Sequence, residues 1–389
     1  MKNKTFVLSL GAAGLLLVGL MFYKLGSLMG GLTGAENAAA SAPVGWHGIY
    51  HHPLYLPLEL LRSVDFFIFK NHGQTLSRLP NALLGIAGVL SFAWLIALWH
   101  SRRTAVLATL LFATGAWTLH TSRLASNDVL YLMALPVGLL AYTMVQRYKD
   151  HPLIWYGAPI TVLLLLYIPG LVWLVLAGLF YERQALLAGW KEFGNWGQRF
   201  LYILIGLVGI SLLVRDLLRP GELRLWVGLP AHFPGVHELL KQFLAVPVHL
   251  FIRGPQYPAQ WLDRTPLLDI FTLAACMIGI YFYATHLKAA RTRLLLTMAI
   301  IGWILVGLGG PVSLSLLVPL LYVAAAAGLA YLVHEWFRTF PRNPLARGLG
   351  LGIVILAVAL SCLYNAKAYF VAWPHNAASQ AVFQYRRLR

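Results

Sequence analysis

Only 13 acidic residues occur in this chain of 389, so each carboxylate that could move a proton is conspicuous. Glu36 lies in the stretch 31–57, GLTGAENAAASAPVGWHGIYHHPLYLP, close to Trp46, His47, Tyr50, His51 and His52. A second polar stretch runs His120-Thr121-Ser122-Arg123-Leu124-Ala125-Ser126-Asn127-Asp128. A third holds His249, Arg253-Gly254-Pro255-Gln256-Tyr257-Pro258 and Asp263-Arg264. A carboxylate among cations and aromatics can take the proton of an attacking hydroxyl while an arginine holds a phosphate leaving group. On this pattern Glu36 is the candidate base, Arg123 or Arg253 the phosphate contact, and aromatics such as Tyr257 the groups that stack on a sugar or grip a lipid chain. Plainer roles stay open. Glu36 also suits a helix cap, and Asp128 suits the start of any helix, where the dipole favours negative charge. His51-His52-Pro53 has no spaced carboxylate or cysteine partner, so no metal is expected there.

The elements that position these residues follow from composition. Hydrophobic residues make up 59% of the chain and charged residues 11%, with a mean hydropathy of +0.70. A soluble domain carries about twice that share of charge. Lipid offers the backbone no hydrogen-bond partner, and the apolar runs are long rather than alternating, so the spanning elements are helices. The expected architecture is an all-α polytopic membrane protein forming one unit over 1–389. The net charge of +17 is spread through connections between apolar runs. That pattern excludes a nucleic-acid domain and favours anionic lipids or a lipid-linked anion as partner. The sequence contains no P-loop, H-E-x-x-H or Gly-x-Ser-x-Gly motif, which removes nucleotide-driven transport and zinc proteolysis. Cys276 and Cys362 sit within apolar runs and carry no redox or zinc signal.

Lys2 and Lys4 precede an apolar run at about 6–23, expected to be an uncleaved first span rather than a removed signal peptide. Ten more runs follow, giving about eleven spans; the 154–181 run, broken at Pro169-Gly170, reads either as a hairpin or as one broken helix. Leu58 to Phe69 reads as a short interfacial helix. With the N-terminus cytoplasmic, the short connections at 101–103, 147–149, 183–199, 288–293 and 338–347 fall inside, and each carries two or more Lys or Arg. The larger connections, 24–78 and 216–266, then face outward with the chemistry.

The order of short motifs resembles the GT-C superfamily of membrane glycosyltransferases, in the branch of protein O-mannosyltransferases and lipid A aminoarabinose transferases. The resemblance rests on Thr33-Gly34-Ala35-Glu36 after the first span, His52-Pro53-Leu54-Tyr55, then Ser77-Arg78-Leu79-Pro80, and finally Ser122-Arg123 through Asp128. It covers residues 31–140 and is architectural elsewhere. It implies a GT-C-like bundle and a polyprenyl-phosphate sugar as donor, with inversion at the anomeric carbon. The acceptor is a glycan, lipid or protein at the outer face of a prokaryotic plasma membrane. It also implies Glu36 as general base, Arg123 as a donor-phosphate contact, and His52, Tyr55 and Asp128 as substrate-binding residues. The family commonly has Asp directly before Glu; here that position is Ala35, so metal-independent chemistry with no cofactor is expected. Two other functions remain: a transporter or flippase for a lipid-linked anion, and an inactive assembly subunit on the same framework.

Overall fold

The computed structural model describes residues 14–41, 45–70, 73–148, 151–192, 196–256 and 265–385. Its regular structure is helical, and one antiparallel bridge joins Leu32 to Tyr385. Among the described residues, six helices are long and apolar enough to cross a bilayer: Gln74–Trp99, Asp128–Arg147, Arg199–Leu217, Ala290–Gly307, Leu314–Thr339 and Pro344–Ala372. Tyr156–Leu166 and Ile270–Thr285 are apolar but shorter. The chain is a multi-pass membrane protein, as its composition requires.

Several of the expected runs are shorter or broken in the structure. The run at 104–119 divides into Arg102–Thr114 and Ala116–Arg123 at Gly115, where an added Cβ would meet the Tyr322 hydroxyl at 2.3 Å. The run at 154–181 is a hairpin of Pro152–Leu166 and Leu171–Glu192. Its turn needs Gly170, whose φ of +80° is costly for a residue with a Cβ.

Helix packing uses small residues, as expected where lipid removes the hydrophobic drive between helices. Ile270–Thr285 and Val318–Thr339 are in backbone contact: a Cβ on Gly279 would sit 1.7 Å from the Ala324 carbonyl oxygen, and one on Gly328 1.9 Å from that of Ala275. One buried apolar cluster links the bundle, including Leu17, Phe92, Phe112, Leu130, Tyr322 and Val358.

The bundle has two unlike ends. At one, the longer connections meet. The Tyr55 N–H donates to the Tyr167 carbonyl at 2.8 Å, Gly170 N–H to that of Trp226 at 2.8 Å, and the Trp117 indole to Ser315 Oγ at 3.0 Å. We call this the loop face. At the other, Arg291 lies over the Trp99 ring at 4.5 Å and Arg147 reaches the Leu98 carbonyl at 3.3 Å. The 24–78 connection holds helices Gly34–Ser41, Trp46–His51 and Leu56–Phe69; the last buries Leu58 and exposes Phe67, Ile68 and Phe69. The 216–266 connection holds Glu222–Trp226 and the amphipathic Val236–Phe251, which lies along Ala290–Gly307 with the Trp303 indole donating to the Phe243 carbonyl at 3.0 Å.

Candidate functional site

Glu36 stands in the first turn of Gly34–Ser41 because Thr33-x-x-Glu36 closes a capping box. Thr33 Oγ1 accepts the Glu36 N–H at 3.1 Å, and Glu36 Oε2 accepts the Thr33 N–H at 3.0 Å. Arg78, from the first long helix, then grips the same carboxylate twice, Nε to Oε1 at 2.8 Å and Nη2 to Oε2 at 3.0 Å. The Ala125 N–H donates to Oε1 at 3.0 Å. Arg78 also caps the Leu25 and Gly31 carbonyls at 3.1 and 2.9 Å. Both charged side chains are 2% exposed.

A carboxylate has about four acceptor positions, and here four donors occupy them. In this conformation Glu36 has no lone pair left for an acceptor hydroxyl. Glu36 thereby ties the first connection, the Gln74–Trp99 helix and the 123–127 turn together. Arg78 entered the sequence reading only as part of a motif; nothing local marks it as the partner of an acid 42 residues earlier.

Arg123 is bound into the same region. At 1% exposure, its guanidinium donates to the Leu20 and Tyr23 carbonyls at the end of the first helix and lies over the rings of Tyr369 at 5.2 Å and Phe370 at 4.8 Å. It stabilises a helix C-terminus, while its buried Nε is left without a hydrogen-bond partner. Glu36 and Arg123 are thus neighbours, but as parts of one buried polar knot. Arg253 is exposed beyond the end of Val236–Phe251, in the other large connection. Tyr257, with Asp263 and Arg264, lies outside the described residues.

Asp128 is half-buried at the head of Asp128–Arg147. Ser126 Oγ donates to it at 3.4 Å and the Ser313 hydroxyl lies alongside. Tyr55 covers the same corner with its hydroxyl directed to Tyr131 and Asn127, and its backbone takes φ +65°, a strained left-handed conformation for a non-glycine residue. Burial pushes the Tyr55 phenol up, so it remains a neutral hydroxyl.

An apolar groove of about 380 Å³ lies between Asp128–Arg147, Pro152–Leu166, Leu171–Glu192 and Trp196–Leu217; on the first of these its lining begins at Ala134, roughly two turns beyond Asp128. Asp128, Tyr131, Leu135, Leu139 and Tyr142 recur at i, i+3 and i+4 spacing and share one helical face; the last three line the groove. Gly178 and Gly206 also line it, and a Cβ at either would meet nothing within 4 Å.

A cationic group that sequence reasoning missed lies elsewhere on the loop face. Arg215 stacks 3.5 Å from the Tyr50 ring centre. Arg219 binds Asp216 at 3.0 Å and donates to the His51 carbonyl. His52 is exposed beside this group, near Asp216. His51 is held below its usual value by desolvation first and then by the charges of His47, Arg219, Arg215 and His52.

No protein-family model matches the chain, and no curated protein sequence matches it significantly. Solved structures do. ArnT from Cupriavidus metallidurans in its apo state aligns with a TM-score of 0.57 at 13% identity, over 98% of this chain and 78% of that one. ArnT bound to undecaprenyl phosphate aligns with a TM-score of 0.57 at 15% identity, over 97% and 78%. The Archaeoglobus fulgidus oligosaccharyltransferase in its apo form gives a TM-score of 0.54 at 17% identity over 96% of this chain, which spans 56% of that enzyme's length. Both proteins are GT-C superfamily members. The chain has the GT-C fold, an all-α membrane bundle.

Proposed function

We propose that the protein is a membrane glycosyltransferase that moves a sugar from a polyprenyl-phosphate donor to an acceptor hydroxyl at the outer face of a prokaryotic plasma membrane. The loop face is that outer face, with the N-terminus in the cytoplasm. The observation that carries this reading is the apolar groove at membrane depth along the Asp128–Arg147 helix, whose head, roughly two turns from the groove, presents a half-buried carboxylate. Such a groove suits a lipid-borne substrate, and its polar head lies where a water-facing acceptor could meet it. The GT-C fold, shared with ArnT bound to undecaprenyl phosphate, supports the same class.

In the proposed reaction the acceptor oxygen attacks the anomeric carbon, the bond from that carbon to the phosphate oxygen breaks, and polyprenyl phosphate departs. Asp128 takes the hydroxyl proton in place of Glu36. Tyr55, a neutral donor beside Asn127, orients the sugar. Arg253 remains the exposed arginine assigned to the leaving phosphate, and His52 and Tyr257 remain assigned to the substrate edge. A positioned base contributes about 10²–10⁴-fold.

The filled coordination of Glu36 favours a second reading, an inactive GT-C subunit that keeps the framework as scaffold. One experiment separates them. Membranes containing the protein are supplied with a radiolabelled polyprenyl-phosphate sugar, and sugar transfer is followed. Loss of transfer in Asp128→Asn at unchanged melting temperature supports the base. Full transfer in that variant rejects Asp128, and no transfer by the native protein with several donors selects the scaffold.

A further inference from the structure

All three guanidinium nitrogens of Arg215 are buried and have no hydrogen-bond partner. Its one clear contact is the face of Tyr50, and the nearest carboxylate, Asp216, is taken by Arg219. A buried cation without an acceptor is costly, and removing one partner of a buried ion pair destabilises strongly for this reason. Such an unsatisfied group calls for an explanation, and a ligand that supplies the missing charge is one.

The position of Arg215 shows what kind of anion fits. Leu204, Val208, Ser211 and Arg215 follow one another at spacings of four, three and four, so they form a single stripe on the last turns of their helix. Val208 is 63% exposed and Leu204 42%, and only 11% of this span's window is buried inside the bundle. Gly206, which faces the groove, is nine residues from Arg215, two and a half turns, and therefore on the opposite side of the helix. The stripe is an apolar strip open to lipid, capped at the loop face by a cation. Arg219, with its side chain 37% exposed, and His51 form the rim.

We propose that Arg215, with Arg219 and His51, binds the phosphate of a membrane lipid whose hydrocarbon chains lie along Leu204, Val208 and Ser211. This site is separate from the groove below Asp128 and does not depend on the glycosyltransferase reading. The phosphate enters at the rim, the Tyr50 ring yields, and the guanidinium replaces a ring contact with charge-assisted hydrogen bonds. A free phosphate ion shares the head chemistry but gains nothing from the stripe.

The test compares native protein with Arg215→Met in phosphatidylcholine nanodiscs, with and without phosphatidylglycerol, and separately with inorganic phosphate. Native protein should melt higher with phosphatidylglycerol. Arg215→Met should melt at or above native protein in phosphatidylcholine alone, because an unpaired buried charge is gone, yet bind phosphatidylglycerol about 10- to 100-fold more weakly. A structural arginine behaves oppositely: the variant would melt lower in every bilayer and keep the lipid-dependent rise, which overturns the site. Equal stabilisation by inorganic phosphate overturns the lipid as ligand. Should Arg215→Met not fold, Val208→Asp, which disturbs only the exposed stripe, must abolish the phosphatidylglycerol response, and an unchanged response rejects the proposal.

Discussion

Replacing Glu36 by Gln removes one charge from a pair in which both side chains are almost wholly enclosed. The amide keeps one acceptor oxygen and turns the other position into a donor. Whichever way it is placed, the new NH₂ faces a donating pair: Arg78 Nε with the Ala125 N–H, or Arg78 Nη2 with the Thr33 N–H. Arg78 is left as a buried cation without a counter-charge, its remaining acceptors two carbonyls and the single amide oxygen. Breaking a buried pair in this way costs about 3–5 kcal/mol, a large part of the about 5–15 kcal/mol that holds a typical domain folded. The expected result is a large loss of folded protein in detergent melting assays and a fall in transfer that follows the folded fraction. A paired change, Glu36→Leu with Arg78→Met, should recover much of the stability lost by Glu36→Leu alone, because no charge remains unpaired. The reasoning is refuted if Glu36→Gln melts like the native protein and loses transfer by about 10²-fold or more, the pattern of a lost base.

Gly206→Leu places bulk in the groove without straining the helix, since a Cβ there is unopposed; transfer from a long-chain polyprenyl donor should fall while that from a ten-carbon analogue persists, as read by paired transfer assays. Asp269 caps the Ile270–Thr285 helix and accepts from the Phe271 and Thr272 N–H groups, from Thr272 Oγ1 and Ser361 Oγ, and from Asn365 Nδ2, so Asp269→Ala should cost about 2–4 kcal/mol in thermal unfolding. Burial alone would raise the Asp269 carboxyl, but these hydrogen bonds outweigh it and hold the group below its ordinary value. Its contribution is therefore present above the unfolded-chain value near 4 and is lost as pH falls through the lower folded value, a loss of melting temperature below about pH 4 that Asp269→Ala should lack. Gly279→Val must push the Ala324 carbonyl away, and should give misfolded protein by size-exclusion chromatography even though Val is favourable in lipid.

What the sequence revealed divides along the range of the forces concerned. Apolar runs, the break at Pro169-Gly170 and the amphipathic helix ending at Phe69 are set by neighbours in the chain, and they appear close to where they were expected. Asp128 begins a span as its charge predicts. Thr33-x-x-Glu36 is also local, and the possible role of Glu36 as a cap was legible. Its partner was not. Arg78 is 42 residues away, and Arg123 finds its carbonyls about 100 residues back and its aromatic rings near the C-terminus. Residue type alone assigned both acid and arginine to chemistry, because a carboxylate poised for catalysis and one already paired have the same letters. Hydropathy also does not register that Gly115 interrupts the 104–119 run so that Tyr322 can approach.

Arg215 shows the converse. Within its sequence it is one more arginine at the end of an apolar run, which snorkelling to the interface would explain. Only the fold shows that Tyr50 covers it and that Asp216 is already committed to Arg219. The three histidines of the first connection change meaning with it. As metal ligands they were poorly spaced, yet His47 and His51, with ring centres 4.4 Å apart, and His52 stand around two arginines, and His51 is held below its usual value by desolvation first and then by these neighbouring charges. Such crowding of like charge is unfavourable by itself. A phosphate in the middle would reverse its sign, so the same residues that weaken the empty loop face would become the ones that hold an anionic lipid against it.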